Sequence, residues 1–237
     1  MKKNAILILD PAHGVDIQGK QSPDGRLQEW LWSRERIRSI MEQIKSFRKD
    51  FDLVAPFLHF DMEPGLRTRV DHYNEIADYW RHTFMLSVHV DAAPRNLLNA
   101  DGWADKVQGT TIFTSRGDTR ADEFADELGQ GVQSTLPYEK YRWDYGLSRD
   151  EITRDLDREA DFTVLSGYRI NYQEPAGAPG NWVPAKYDGV LIENGFMTSH
   201  PEVNRMLSPD WCRCREDGIV KGIMNWFHTL GLAPLYL

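Results

Sequence analysis

Short apolar runs alternate with stretches of helical periodicity along most of this chain, and that alternation constrains the fold more than any other feature. AILIL (residues 5–9), TFMLSVHV (83–90), GTTIFT (109–114) and GVLIE (189–193) read as strands. FDLVAPFL (51–58) and FTVL (162–165) read as two more, with Pro56 marking the former as an edge or a strand end. Between them, Ile37, Ile40, Met41, Ile44 and Phe47 trace a helix face within 29–48, and Leu66, Val70, Tyr73, Ala77 and Trp80 trace a second. A third helix covers 119–133, and a last one runs from about Arg215 to Leu230 and stops at Gly231. Strands separated by helices predict an α/β fold with a largely parallel sheet.

Two stretches break the rhythm: the polar loop 94–108, and residues 137–188, which contain an acidic piece and then the Gly/Pro-rich YQEPAGAPGNWVPAKYDG. Insertions of that length in a small domain serve as lids, binding loops or mobile segments. A length of 237 residues, with no internal repeat and no linker, is read as one domain over 1–237 with an insertion at 137–188. A net charge of −8 argues against a general nucleic-acid surface, which needs clustered Lys and Arg. No apolar run approaches the roughly 20 residues of a membrane span. The N-terminal MKKNAILILD has too short an apolar run for a signal peptide and no small-residue cleavage site, so it reads as the first strand. The two cysteines, Cys212 and Cys214, are expected to be free thiols, because a C-x-C pair makes a strained disulfide and a poor zinc site.

Four residues of metal-binding or acid–base type fall at strand ends or a helix start. His13 follows the first strand, Glu29 opens the first long helix, His89 ends the strand MLSVHV, and Glu193 ends GVLIE. Each has an ordinary explanation alone. A loop histidine needs no function, an acid at a helix start complements the helix dipole, and a histidine near a buried strand end is as often a core residue as a ligand. Glu193 is harder to place, because a carboxylate at a buried edge needs a partner or a task. Chemistry in open parallel sheets gathers at the carboxyl ends of the strands, and Glu29 reaches that edge if loop 14–28 folds back. Two histidines and a carboxylate form a recurrent catalytic zinc set, and a second carboxylate beside them can move protons. His59, His72, His82, His200 and His228 read as loop or surface residues.

At these residues the chain resembles the zinc-dependent N-acetylmuramoyl-L-alanine amidases of the Amidase_3 type. LDPAHGVDIQGKQSPDGRLQEW is similar to that family's Asp-Pro-Gly-His-Gly opening with its distant glutamate. LRTRVDHYNEIA resembles its Leu-x-x-Arg…Asn helix through Leu66, Arg69 and Asn74. LSVHVDAA resembles its Ser-x-His-x-Asn-Ala strand end, and GVLIENGFMTS its Pro-x-Leu-x-Glu-x-Gly-Phe strand. The resemblance implies a twisted sheet of about six strands with helices on both faces. It also implies one Zn2+ held by His13, Glu29 and His89, and Glu193 as the catalytic glutamate. The implied reaction is hydrolysis of the amide between N-acetylmuramic acid and L-alanine in peptidoglycan.

Three departures stand out. Ala12 replaces the family's glycine, Asp188 or Gly189 stands where it has proline, and Asp91 replaces its asparagine, adding a negative charge where substrate contacts are expected. Two rival readings keep the same residues: a zinc peptidase cutting another cell-wall amide, and a peptidoglycan-binding module without catalysis. Only the latter has no need of Glu193. A monomer is expected, either a phage-type lysin made in the cytoplasm and acting on the wall or a secreted enzyme trimmed of its leader. The acidic stretch from Ser148 to Asp161 reads as a solvated surface helix. The resemblance adds an alternative, in which Glu151, Asp155 and Glu159 face the metal from an inhibitory helix.

Overall fold

Strand β1 (Lys3–Pro11) is buried from Ala5 onward, so its apolar run is continuous rather than alternating, as a strand covered on both faces requires. In the computed structural model, which describes residues 3–47, 49–141, 156–175 and 178–236, this strand lies inside a six-stranded sheet. The elements follow in the order β1, α1 (Glu29–Lys45), β2 (Asp52–Val54), α2 (Leu66–Ala77), β3 (Trp80–Asp91), β4 (Thr111–Thr114), α3 (Arg120–Thr135) and β5 (Arg158–Glu159). Then come α4 (Thr163–Ser166), β6 (Gly167–Arg169), β7 (Trp182–Pro184), β8 (Asp188–Phe196), α5 (His200–Met206) and α6 (Pro209–Thr229). The sheet order is β2-β1-β3-β8-β4-β5, and β6 and β7 form a separate antiparallel hairpin. Strands β2, β1, β3 and β8 are parallel, whereas β4 runs antiparallel to β8, with β5 parallel to β4. The protein is therefore a single α/β domain with a mostly parallel sheet.

Side chains alternate between two cores. Leu7, Leu9, Phe84, Leu86 and Val190 face α1, α3 and α6, while Ile8, Met85 and Leu191 face Tyr73 of α2 and Val164 and Leu165 of α4. Burying each such aliphatic side chain is worth about 1.5–3 kcal/mol. Helices α3 and α6 approach closely through glycine. A Cβ on Gly222 would lie 2.6 Å from the Glu127 carbonyl oxygen and from Leu128 Cα, and one on Gly131 would overlap the Gly218 carbonyl. Helix α3 starts with a capping box built by Thr119 and Asp122.

The chain steps outward from β1 to β2, then crosses back to β3 on the other side of β1. Helix α1 covers one face and α2 the other. Strand order thus reverses at β1, and an open α/β sheet leaves a crevice at the carboxyl ends of its strands beside such a reversal.

Several boundaries differ from expectation. The strand expected over 51–58 shrinks to three residues, because the chain turns at Pro56–His59. FTVL forms the short helix α4 rather than a strand. The second helix ends at Ala77, and Trp80 instead begins β3. The last helix begins at Pro209, with α5 before it. His82 lies inside β3, half-buried, with its Nδ1 2.9 Å from Arg120 Nη1. In the stretch from Ser148 to Asp161, residues 148–155, including Glu151 and Asp155, lie outside the described residues. Arg158 and Glu159 form β5 instead of continuing a helix, and Glu159 accepts from the Gly117 N–H at 3.3 Å. Both cysteines are free. No described helix is long and apolar enough to cross a membrane.

Candidate metal centre

Glu29 reaches the sheet edge because loop 14–28 folds back on itself. Gln21 bridges Gln28, the Ser22 N–H donates to the Leu27 carbonyl (2.8 Å), and the Glu29 N–H donates to the Lys20 carbonyl (3.0 Å). The fold therefore places Glu29 in the first turn of α1, only 1% exposed. Ser33, one turn further on, ties the two neighbouring strand ends together. Its hydroxyl accepts from the Ala12 N–H (2.9 Å) and donates to the Val88 carbonyl (2.6 Å).

His13, Glu29 and His89 converge, each offering a donor atom within 4.8 Å of the others. His89 Nδ1 lies 3.0 Å from Glu29 Oε1, which also accepts from the Val90 N–H at 3.1 Å. His13 Nε2 lies 3.7 Å from Glu29 Oε2, and the two imidazoles stand edge to face at 5.1 Å. Among the described residues, Glu29 Oε2 is buried with no hydrogen-bond donor. An orphaned carboxylate oxygen is costly unless something cationic faces it. Two imidazoles and a carboxylate are a donor set that suits zinc, so these residues fit the ion that the sequence leads one to expect.

His13 itself has φ of +39°, and it is the non-glycine residue with a left-handed backbone among those described. Such a conformation costs about 1–3 kcal/mol and persists only where surrounding contacts impose it. Here they are dense. The Val15 N–H donates to the Asp61 carbonyl (2.8 Å), and the Glu63 N–H donates to Asp16 Oδ1 (2.8 Å). A Cβ on Gly14 would overlap the Glu63 backbone nitrogen. The buried Arg34 guanidinium donates to both the Ala12 carbonyl (2.9 Å) and the Phe60 carbonyl (2.8 Å).

Glu193 pairs with His89 in the β3–β8 ladder. Its Oε2 is buried and, among the described residues, without a hydrogen-bond partner. Burial, reinforced by the charges of Glu29 and Asp91, pushes its carboxyl well above the ordinary range. Glu29 goes the other way. Burial alone would raise it, but the hydrogen bond and charge of His89 and the charge of His13 outweigh burial and hold it down. Two carboxylates at one site are thus driven apart in acidity. Asp91 ends β3 with its Oδ1 accepting from the Ala92 N–H (2.7 Å), and its charge acts on Glu193.

Beneath the site a buried network fixes the end of β1. Asp10 accepts from Arg69 Nη1, from the Tyr73 hydroxyl (2.5 Å) and from the Ser87 hydroxyl (2.6 Å). Burial works against the Arg69 charge, but Asp10 beside it outweighs burial and raises the guanidinium further. The site opens into a cleft of about 360 Å³, lined by His13, His89 and Glu193 and walled by Leu66, Phe162 and Val164. Lys20 also lines it, and its charge reaches Glu29 and Glu193.

The catalytic domain of CwlV, an N-acetylmuramoyl-L-alanine amidase from Bacillus (Paenibacillus) polymyxa, superposes with a TM-score of 0.67 at 15% identity, covering 96% of this chain and 99% of that one. The fold is that of the amidase catalytic domains. The amidase AmiC2 of Nostoc punctiforme (TM-score 0.63, 17% identity) and an amidase from Clostridium difficile 630 (TM-score 0.63, 21% identity) likewise align over 96% of this chain and 99% of theirs. No family model matches the sequence, and no curated protein matches it. In this amidase-like fold the four residues expected from sequence lie at one sheet edge. Glu63, Arg69 and Arg34, which hold that edge in shape, carry no such expectation from the sequence beyond the place of Arg69 in the Leu-x-x-Arg pattern.

Proposed function

We propose that this protein is a zinc-dependent N-acetylmuramoyl-L-alanine amidase that acts on the cell wall, hydrolysing the amide between N-acetylmuramic acid and L-alanine in peptidoglycan. One observation carries the reading. Two histidines and a carboxylate oxygen without a donor among the described residues converge beside Glu193, whose Oε2 is likewise buried and unpartnered among those residues, in a cleft of a fold shared with solved amidases. His13, Glu29 and His89 would hold the ion, which when bound supplies Lewis acidity toward the scissile carbonyl and toward water.

The chain's own residues do the rest. Glu193, which lines the same cleft, would in its ionised form accept a proton from the attacking water and return it to the departing nitrogen of L-alanine. The half-exposed Leu66 and Phe162 give the cleft apolar walls that limit water at the reacting centre. Asp91 and Lys20 bring opposite charges to the neighbourhood of Glu193, and contact of Asp91 with substrate belongs to this proposal.

The test is digestion of purified peptidoglycan by the purified protein, before chelation, after it, and after zinc is restored. The expected result is zinc-dependent release of new α-amino groups on L-alanine. New termini elsewhere in the stem peptide would make the protein a peptidase of another wall amide. Retention on the wall without cleavage would make it a binding module.

A further inference from the structure

Glu63 is a residue that neither motif nor periodicity singles out, and it sits in the turn before α2. Its Oε2 lies 3.4 Å from His13 Nδ1, is buried, and has no hydrogen-bond partner among the described residues. Its other oxygen is held by Arg69 Nη2 at 3.3 Å. Arg69 is in turn bound by Asp10 and by the Pro11 carbonyl (2.7 Å). The opposite ring nitrogen of His13, Nε2, faces Glu29. The backbone of the Glu63 turn is joined to the His13 loop at Val15–Asp61 and Asp16–Glu63, and its Phe60 carbonyl is gripped by Arg34. Glu63 therefore cannot drift from the imidazole without breaking several independent contacts.

We propose that Glu63 is a positioning residue: its carboxylate is the acceptor for His13 Nδ1–H, and so holds the tautomer that leaves the Nε2 lone pair free toward Glu29 and the metal. The inference rests on the metal-site reading above and adds to it a carboxylate–histidine pair anchored by Arg69. Both ring nitrogens face carboxylates, but Nδ1 lies closer to Glu63 (3.4 Å) than Nε2 does to Glu29 (3.7 Å), so the proton is held at Nδ1 and Nε2 is left as the ligand. The same carboxylate also holds the ring in the orientation that the strained backbone of His13 initiates.

The test uses the full chain, with zinc as the probe, and compares wild type with Glu63→Ala and Glu63→Gln. In the metal-free wild type, nitrogen-15 NMR should show His13 protonated at Nδ1, and in Glu63→Ala this preference should weaken. Zinc affinity, measured by competition with a coloured chelator, should fall by about 10- to 100-fold in Glu63→Ala. Glu63→Gln, which keeps an acceptor but no charge, should recover part of that loss. Circular dichroism verifies that each variant is folded, and if Glu63→Ala does not fold, Glu63→Gln and the wild-type tautomer still decide the matter. A wild-type His13 protonated at Nε2, or a folded Glu63→Ala with unchanged zinc affinity, would overturn the inference. A wild type that binds no zinc would instead overturn the metal-site reading, so the two failures are distinguishable.

Discussion

His13 combines a donor nitrogen with a backbone that L residues avoid, and the two demands can be separated by substitution. Both His13→Ala and His13→Gly remove the ligand, but only glycine relieves a φ of +39°. In the metal-free state the glycine variant should melt above the alanine variant, although glycine also gains more entropy when unfolded. Paired thermal melts check this, and an alanine variant of equal or higher stability would show that the backbone is not strained. Glu193 is the complementary case, a side chain with a proposed task whose Oε2 has no hydrogen-bond partner among the described residues. Glu193→Ala should keep its zinc and its circular dichroism spectrum while turnover drops by roughly 10²- to 10⁴-fold. Near-normal turnover would move proton transfer to another group such as Asp91, whose charge acts on Glu193. The convergence of His13, Glu29 and His89 was legible in the sequence only in part: two histidines at strand ends and an acid at a helix start each have an ordinary explanation, and the four motifs taken in order are what singled them out together with Glu193. Glu63 was not legible, because its role exists only once the turn before α2 closes over Gly14.

At the scale of elements, the α3–α6 crossing invites a direct test. Gly222→Ala gains about 1 kcal/mol of helix propensity but forces a methyl group against the backbone of Glu127 and Leu128. Overpacking of this kind typically costs about 1–3 kcal/mol, so denaturant titration should show a net loss. A stabilised variant would mean the helices can part freely. The first residue of β8 supplies a pH-dependent case. Burial raises the carboxyl of Asp188, with Arg120 and His82 only partly opposing the shift. Its folded pKa thus lies above its unfolded one, and the native state binds the proton more tightly. The penalty is then fully present above the folded value and fades as pH falls through it. Asp188→Asn should therefore stabilise the protein at neutral pH, with the advantage shrinking in acid, as melts across a pH series will reveal. The elements that sequence missed are the short ones. Four residues of FTVL carry too little periodicity to separate helix from strand, and the two residues of β5 exist only through pairing with β4.

For the molecule as a whole, the long buried strands and the helix stripes made the α/β architecture readable, whereas the antiparallel placement of β4 depends on contacts far apart in sequence. If His13, Glu29 and His89 hold zinc, the ion binds only the folded chain and must raise its stability. Zinc at a hundred times its dissociation constant adds about 2.7 kcal/mol, or about 5–10 °C in Tm for a domain of this size. Wild type should show this rise on titration, and His89→Ala should show little of it. The direct pairing of His89 with Glu193 has a further consequence. Side chains alternate along a strand, so a slip of one residue between β3 and β8 would bring Asn194 opposite His89 and turn the carboxylate to the far face of the sheet. The hydrogen-bond ladder thus acts as a ruler that sets the gap between the His89 imidazole and the Glu193 carboxylate. Sequence change elsewhere in the two strands leaves that spacing intact as long as the rungs stay in step.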